Sequence, residues 1–169
     1  ITPRLETKKQ IAGNAYEGIN LWKKDDYYYL FGSIGSCCEG EKSTYTTVVG
    51  RSKSLFGPYL DRKGGSMMNN KHEVVLHKNN RFVGTGHNSL LQIDDEGNTW
   101  MLYHAFELNR LDAHRQVLLD KVLWDKDGWP YVENLQPSDK AEAPVVTSPV
   151  NLSNGMEAVI SLKTPGNPA

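Results

Sequence analysis

Cysteine is almost absent from this chain. Its 169 residues include two, the neighbours Cys37 and Cys38, a spacing that matches neither a zinc-ligand pattern nor a disulfide framework spread along the sequence. Tight distance limits on disulfide geometry favour two thiols at a strand end over a vicinal disulfide, which is uncommon. Long apolar runs are missing as well. No stretch of 18 apolar residues occurs, so the sequence offers no candidate membrane-spanning helix and no membrane partner is expected. Nor is there an excess of charge: 19 Lys and Arg are interspersed with 20 Asp and Glu, for a net charge of −1. That balance gives no electrostatic case for nucleic acid and points to a neutral ligand. The first residues, Ile1-Thr2-Pro3-Arg4, carry neither an initiator Met nor a signal-peptide pattern, and the expectation is a chain processed or cut from a longer precursor.

What is plentiful is aromatic and turn chemistry. Four Trp, eight Tyr and four Phe stand among 15 Gly and eight Pro, the composition of an all-β chain whose short strands are joined by tight turns. An internal repeat sets the architecture. Asp25-Asp26-Tyr27-Tyr28-Tyr29-Leu30-Phe31-Gly32-Ser33 and Gly97-Asn98-Thr99-Trp100-Met101-Leu102-Tyr103-His104-Ala105 are each a turn followed by an aromatic strand, offset by 72 (100 − 28). Short apolar stretches precede them (Ile19 to Trp22, Leu90 to Ile93), and β-branched strands follow at 44–50 and 115–122. Fourth strands are predicted at Tyr59-Leu60 and Tyr131-Val132, after Gly57-Pro58 and Gly128-Trp129-Pro130, with residues 71–85 as the entry to the second unit. Four short strands in a meander, per unit of roughly 70 residues, describe a propeller blade with long loops. Two blades are visible, and a ring needs at least about four to close, so the chain reads as part of a propeller.

The innermost strand of a blade lines the central channel, and its end residues point toward the axis. Tyr16-Glu17-Gly18 and, 70 residues on (87 − 17), Gly86-His87-Asn88-Ser89 stand at the predicted entries to the two inner strands. A carboxyl group and an imidazole can therefore face one shared cleft. A carboxylic acid at the mouth of a polar pocket, here flanked by Tyr16, suits a general acid acting on a departing alkoxide-like oxygen. Against this stands the ordinary fate of an isolated Glu, a solvated surface carboxylate, and of a lone His, a hydrogen-bonded structural residue. His87 belongs to no His-x-x-x-His or Glu-x-x-His pattern, so it supplies at most one ligand to a metal. His104 reads as packing under the channel and His114 as loop.

Several segments carry a resemblance: Ala15-Tyr16-Glu17-Gly18, Gly35-Ser36-Cys37-Cys38, Ser43-Thr44-Tyr45, Val49-Gly50-Arg51-Ser52, Gly57-Pro58-Tyr59, Gly86-His87-Asn88-Ser89, Tyr103-His104-Ala105 and Trp124-Asp125-Lys126-Asp127-Gly128-Trp129-Pro130. Together, from about residue 10 to about residue 133, they resemble the second half of the endo-1,5-α-L-arabinanases of glycoside hydrolase family 43. The resemblance implies a five-bladed β-propeller, this chain supplying roughly the last two to three blades, that hydrolyses α-1,5-linked arabinan with inversion. It implies Glu17 as the general acid and His87 as a ligand to one metal ion at the propeller centre, usually calcium and mostly water-coordinated, as suits a hard cation that keeps several oxygen ligands. It further implies Arg115, Ser36 and Cys37 as substrate contacts, arabinan or an arabino-oligosaccharide as the ligand, and a secreted, periplasmic or cell-surface location.

The departures matter equally. The family's general base and its pKa-modulating carboxylate are Asp residues of the first two blades, to which nothing here corresponds; Asp25, Asp26 and Asp94 are turn residues. An inverting mechanism needs two carboxyl groups, so the N-terminal half of the same precursor is expected as a second chain that completes the ring and brings the base. Residues 1–136 read as the propeller part and 137–169 as linker and extension or closing strand, the composition shifting at Pro137-Ser138-Asp139-Lys140,. Val145 to Leu162 alternates weakly, and Asn151-Leu152-Ser153 matches a glycosylation tripeptide that also arises by chance,. Two alternatives stand beside the arabinanase reading: an exo-acting α-L-arabinofuranosidase or β-xylosidase of the same family, and a non-catalytic carbohydrate-binding propeller.

Overall fold

The computed structural model describes residues 4–140 and 142–147. Nine strands are named among them: β1 (Glu17–Lys24), β2 (Tyr27–Ile34), β3 (Thr46–Ser52), β4 (Glu73–Leu76), β5 (Phe82–Gly86), β6 (Gln92–Ile93), β7 (Thr99–Glu107), β8 (Arg115–Trp124) and β9 (Pro130–Val132), with short 3-10 turns between some of them. They form two antiparallel meanders. The first sheet runs β1-β2-β3-β4; the second runs β5-β7-β8-β9, with β6 also on β7. Tight turns make the hairpins: Asp25 adopts φ 50° between β1 and β2, and Gly97 φ 83° ahead of β7, conformations that Asp tolerates and glycine adopts freely. The all-β, blade-like architecture read from the repeat is present.

Two expected elements are placed differently. Tyr59-Leu60 is not the fourth strand of the first unit; Leu60 makes only isolated bridges to Arg51 and Ser66. That place belongs to β4, which pairs with β3 through Val48↔Val74 and Val49↔Glu73, so residues expected to open the second unit close the first. Pro58 brings no N–H to a ladder, whereas Val74-Val75 is β-branched and suits one. Tyr59 instead packs with Met67 and Leu30. The inner strand of the second unit is split into β5 and β6, both pairing with β7, and His87 stands at the break rather than at the strand's entry.

Side-chain alternation puts Tyr29, Phe31 and Val49 on one face of the first sheet. There they meet Met101, Tyr103 and Val122 of the second sheet in a single buried cluster that also includes Leu91, Trp129 and Val132. At one end of this seam, Arg51 lies 4.3 Å from the ring centroids of both Tyr27 and Trp129 and donates to the Asp127 carbonyl at 2.5 Å. Arg62 beside it reaches Asp125 at 2.5 Å and Glu73 at 3.4 Å. The opposite face of the first sheet is covered by its own chain, Leu30 packing with Tyr59, Met67, Ile11, Ala12 and Tyr16.

Residues past 136 return along the second sheet. Pro137 accepts from Asn79, and Arg81 pairs with Asp139 at 3.2 Å. Buried Asp94 accepts from Trp100 Nε1 at 2.8 Å, Asn98 N at 2.8 Å and Val145 N at 3.3 Å, which makes it the structural turn residue expected. The rest of the extension, including the glycosylation tripeptide, lies outside the described residues. Burial alone would push the Asp94 carboxyl up, but the hydrogen bonds from Trp100, Asn98 and Val145 outweigh it and hold it well below the usual carboxylate range,. A carboxyl depressed on folding stabilises the fold above its unfolded pKa of about 3.9, and that contribution is lost as pH falls below it. Asp94→Asn should therefore lower the melting temperature at pH 7 and flatten the acid limb of stability below about pH 4, as acid titrations followed by circular dichroism would measure.

Candidate active site

The end of the seam opposite Arg51 is polar and tightly approached. Glu17 opens β1 at a register irregularity between Glu17 and Asn20, and Gly18 follows with φ 56°. A Cβ at Gly18 would lie 3.0 Å from His87 Cδ2, so the backbone beside Glu17 rests directly on the His87 ring. His87 itself has φ 51°, unusual for a side-chain-bearing residue, and its N–H donates to Ser33 Oγ at 2.8 Å. Both candidate residues thus sit at backbone irregularities that aim a side chain out of the ladder, as bulges near functional sites do. The segments that carry the two residues meet.

A tyrosine flanks Glu17, but it is Tyr45 rather than Tyr16. Tyr16 points to the other face of the sheet, its hydroxyl 3.1 Å from His72 Nδ1. The buried Tyr45 donates to Glu17 Oε2 at 2.9 Å, and its ring stacks on His104 with centroids 5.7 Å apart and 22° between planes. His104 also lies 6.2 Å from the His87 ring and faces Arg115, whose Nη1 is 3.5 Å from its Nε2. Burial, with Arg115 and His87 alongside, pushes His104 down to about 4, so it is neutral near pH 7. Burial and the Glu17 carboxylate push the Tyr45 hydroxyl up to about 12, so it remains a donor. Four residues form a row: Glu17, Tyr45, His104, Arg115.

Ser36 and Cys37 sit on the loop between β2 and β3 that sets Tyr45. The Ser36 carbonyl accepts from Thr44 N at 3.0 Å and Tyr45 N at 2.9 Å, and Ser36 N donates to Thr44 Oγ1 at 3.0 Å. Cys37 and Cys38 are joined in a vicinal disulfide, not the two thiols expected; the loop closes on itself through Ser36 and Thr44 and holds the pair at its tip. His114 is a loop residue, as expected. His104 is more than packing. Tyr45 and His104 were the members of this row that spacing could not supply, since they meet only where Tyr45 reaches past Gly86 of the second sheet.

Among the described residues no group of three or more His, Cys, Asp or Glu could hold a metal ion. An exposed His87 imidazole beside a neutral His104 fits a single ligand to a cation whose other ligands are water or come from elsewhere,.

Two antiparallel meanders of four and five strands packed against each other, with a carboxyl, an imidazole and a guanidinium gathered at one end, define a section of a β-propeller. The protein-family model described as "Glycosyl hydrolases family 43" matches residues 2–130, and the chain belongs to that family. An extracellular exo-α-(1→5)-L-arabinofuranosidase of Cellvibrio japonicus (strain Ueda107) is 44% identical over 126 residues, 72% of this chain and 35% of the relative. An extracellular endo-α-(1→5)-L-arabinanase of Bacillus subtilis (strain 168) is 35% identical over 118 residues, 70% of this chain and 34% of the relative. The solved structure of Cellvibrio cellulosa α-L-arabinanase complexed with arabinohexaose superposes with a TM-score of 0.66 at 39% identity, covering 71% of this chain and 37% of that one. The chain thus spans about a third of the length of the curated relatives it matches.

Gly18 carries the close approach, and its requirement can be tested. A side chain in the left-handed region costs about 1–2 kcal/mol, and at this position it would also press on His87. Gly18→Ala should lower stability by at least about 1 kcal/mol in chemical denaturation. Gly97→Ala, also at positive φ but with nothing within 4 Å of a Cβ, should show the backbone cost alone.

Proposed function

We propose that this chain forms part of an inverting glycoside hydrolase that cleaves α-1,5-linked L-arabinan, with Glu17 as the general acid. The observation that carries the reading is the contact of Gly18 with His87, which joins the carboxyl-bearing and imidazole-bearing ends of two sheets. Glu17 protonates the departing sugar oxygen while a carboxylate not contained in this chain draws a proton from water on the far side of the sugar, the two carboxyl groups standing roughly 6.5–9.5 Å apart. Arg115, Ser36 and Cys37 contact the sugar chain. His87 would hold a calcium ion through one imidazole nitrogen, and the ion, when bound, organises the cleft's water and carboxylate network. Arabino-oligosaccharide as substrate is supported by the arabinohexaose complex of the solved relative, and an extracellular location by the names of both curated relatives.

Endo action is the preferred mode, on the Gly-Ser-Cys-Cys and Gly-His-Asn-Ser motifs. Exo action is the second reading, favoured by the 44% identical relative named as an exo-arabinofuranosidase. The base enters with the N-terminal half of the same precursor, as a second polypeptide that completes the ring. The face of the second sheet turned away from the first supports this: Leu102 and Val117 are 40% and 74% exposed there, apolar surface that another sheet would cover.

In the assembled protein, Glu17→Gln should lower turnover of linear arabinan by about 10²–10⁴-fold while arabino-oligosaccharide binding persists. Turnover near wild type would overturn the acid assignment. The sizes of early products separate the modes, mixed oligosaccharides for endo action and one short product for exo action. Intact mass and N-terminal sequencing of the purified protein should return two chains; a single polypeptide would overturn the second-chain proposal.

A further inference from the structure

We infer that Tyr45 is a positioning residue that holds Glu17 in one orientation and places its acidic proton, a role that rests on Glu17 being the acid. Glu17 is exposed and sits at a strand irregularity, where a free carboxylate would sample several rotamers. Tyr45 is 1% exposed and is fixed from both sheets. Its N–H is held by the Ser36 carbonyl at 2.9 Å and its own carbonyl accepts from Thr85 Oγ1 at 3.4 Å. Its ring lies on His104 and against Gly86, where a Cβ would come within 2.6 Å of Tyr45 Cδ1. Nothing on this list can move without shifting a sheet.

The hydrogen bond has a direction with chemical consequences. Tyr45 O–H donates to the Glu17 carboxylate at Oε2, 2.9 Å away; kept in the acid form, this bond makes Oε2 the carbonyl oxygen and leaves the proton to Oε1. In the acid step that proton passes from Oε1 to the glycosidic oxygen, the sugar–oxygen bond breaks, and Glu17 becomes a carboxylate. The Tyr45 hydrogen bond then ends on an ionised acceptor, and such bonds are stronger than neutral ones. It therefore strengthens as the transition state forms, which is the condition for raising kcat rather than merely tightening binding.

Leaving-group dependence reads this role, because an acid matters most when the departing oxygen is a poor leaving group. Aryl α-L-arabino-oligosaccharides bearing phenols of graded acidity, and arabinan itself, would be assayed with the assembled protein as wild type, Tyr45→Phe, Glu17→Gln and Tyr29→Phe. Tyr29 is the control: it is also buried, and its hydroxyl donates to the Gly128 carbonyl at 2.6 Å at the other end of the seam. Tyr45→Phe keeps the ring and should lower kcat on arabinan about tenfold or more with KM near wild type, the loss shrinking toward none for the most acidic phenols. Tyr29→Phe should show no dependence on the phenol. A Tyr45→Phe loss that is equal across the series, or no loss, beside a sloped Glu17→Gln series would overturn the positioning role alone. A flat Glu17→Gln series would overturn the acid assignment and the positioning role with it.

Discussion

Where the backbone beside Glu17 meets His87, the two sheets come closer than side chains permit, and glycine makes the contact from both sides. Gly18 of the first sheet lies against the His87 ring, while Gly86 and Gly84 of the second lie against Tyr45 and Ser43, at distances of 2.6 to 3.0 Å for an added Cβ. With so little room, the seam here is closed by short polar groups: Thr47 Oγ1 to the Thr85 carbonyl at 3.4 Å, and His87 N to Ser33 Oγ at 2.8 Å. The other end is filled by large groups, Tyr27, Tyr29 and Trp129 around Arg51. Between them lies the apolar core. The seam is therefore graded, with aromatic rings and guanidinium groups filling its wide end and the row from Glu17 to Arg115 standing at its narrow one.

Within that narrow end, opposite charges are kept apart. Glu17 and Arg115 make no ion pair with each other among the described residues; Tyr45 and His104 stand between them. Burial and the nearby Arg115 keep His104 neutral, so it adds no positive charge that would draw Glu17 across. A direct pair would satisfy both groups internally, with desolvation and Coulomb energy roughly offsetting. Separation leaves a carboxyl at one end of the row and a guanidinium at the other, both available to a neutral, hydroxyl-rich ligand.

Much of this was readable in the sequence because it repeats. The 72-residue offset aligned two aromatic strands, Tyr28 with Trp100, and those became β2 and β7. The positions of Glu17 and His87 relative to them were enough to predict that the segments carrying them meet. Periodicity was silent where a residue's role depends on the third dimension. Tyr59 looks like a strand residue, but its partners are Met67 and Leu30 on the covered face. By sequence Tyr16 is the tyrosine that flanks Glu17, with Tyr45 28 residues away (45 − 17); the structure turns Tyr16 to the other face and brings Tyr45 to the carboxyl. Cys37 and Cys38 read as two thiols because bonding between neighbouring cysteines is uncommon, yet they are joined at the tip of the loop that Ser36 and Thr44 close.

The two sheets differ in how their far faces are finished, and this bears on what surrounds the cleft. The first sheet turns its far face onto Ile11, Tyr16, Tyr59 and Met67 of its own chain, with Met67 seated where Gly50 leaves space. On the second sheet, direct pairing sets Leu102 opposite Leu119 and His104 opposite Val117, so the far face carries Leu102, Val117 and the outer side of the His104 strand together. Trp100 on this face is protected by its bond to Asp94, which also binds the returning segment at Val145; among the described residues nothing covers Leu102 and Val117 in this way. The bare apolar patch therefore adjoins the row that ends in Arg115. A sheet laid over it would stand beside that row, and on the proposed function it is the wall from which the missing carboxylate would face Glu17.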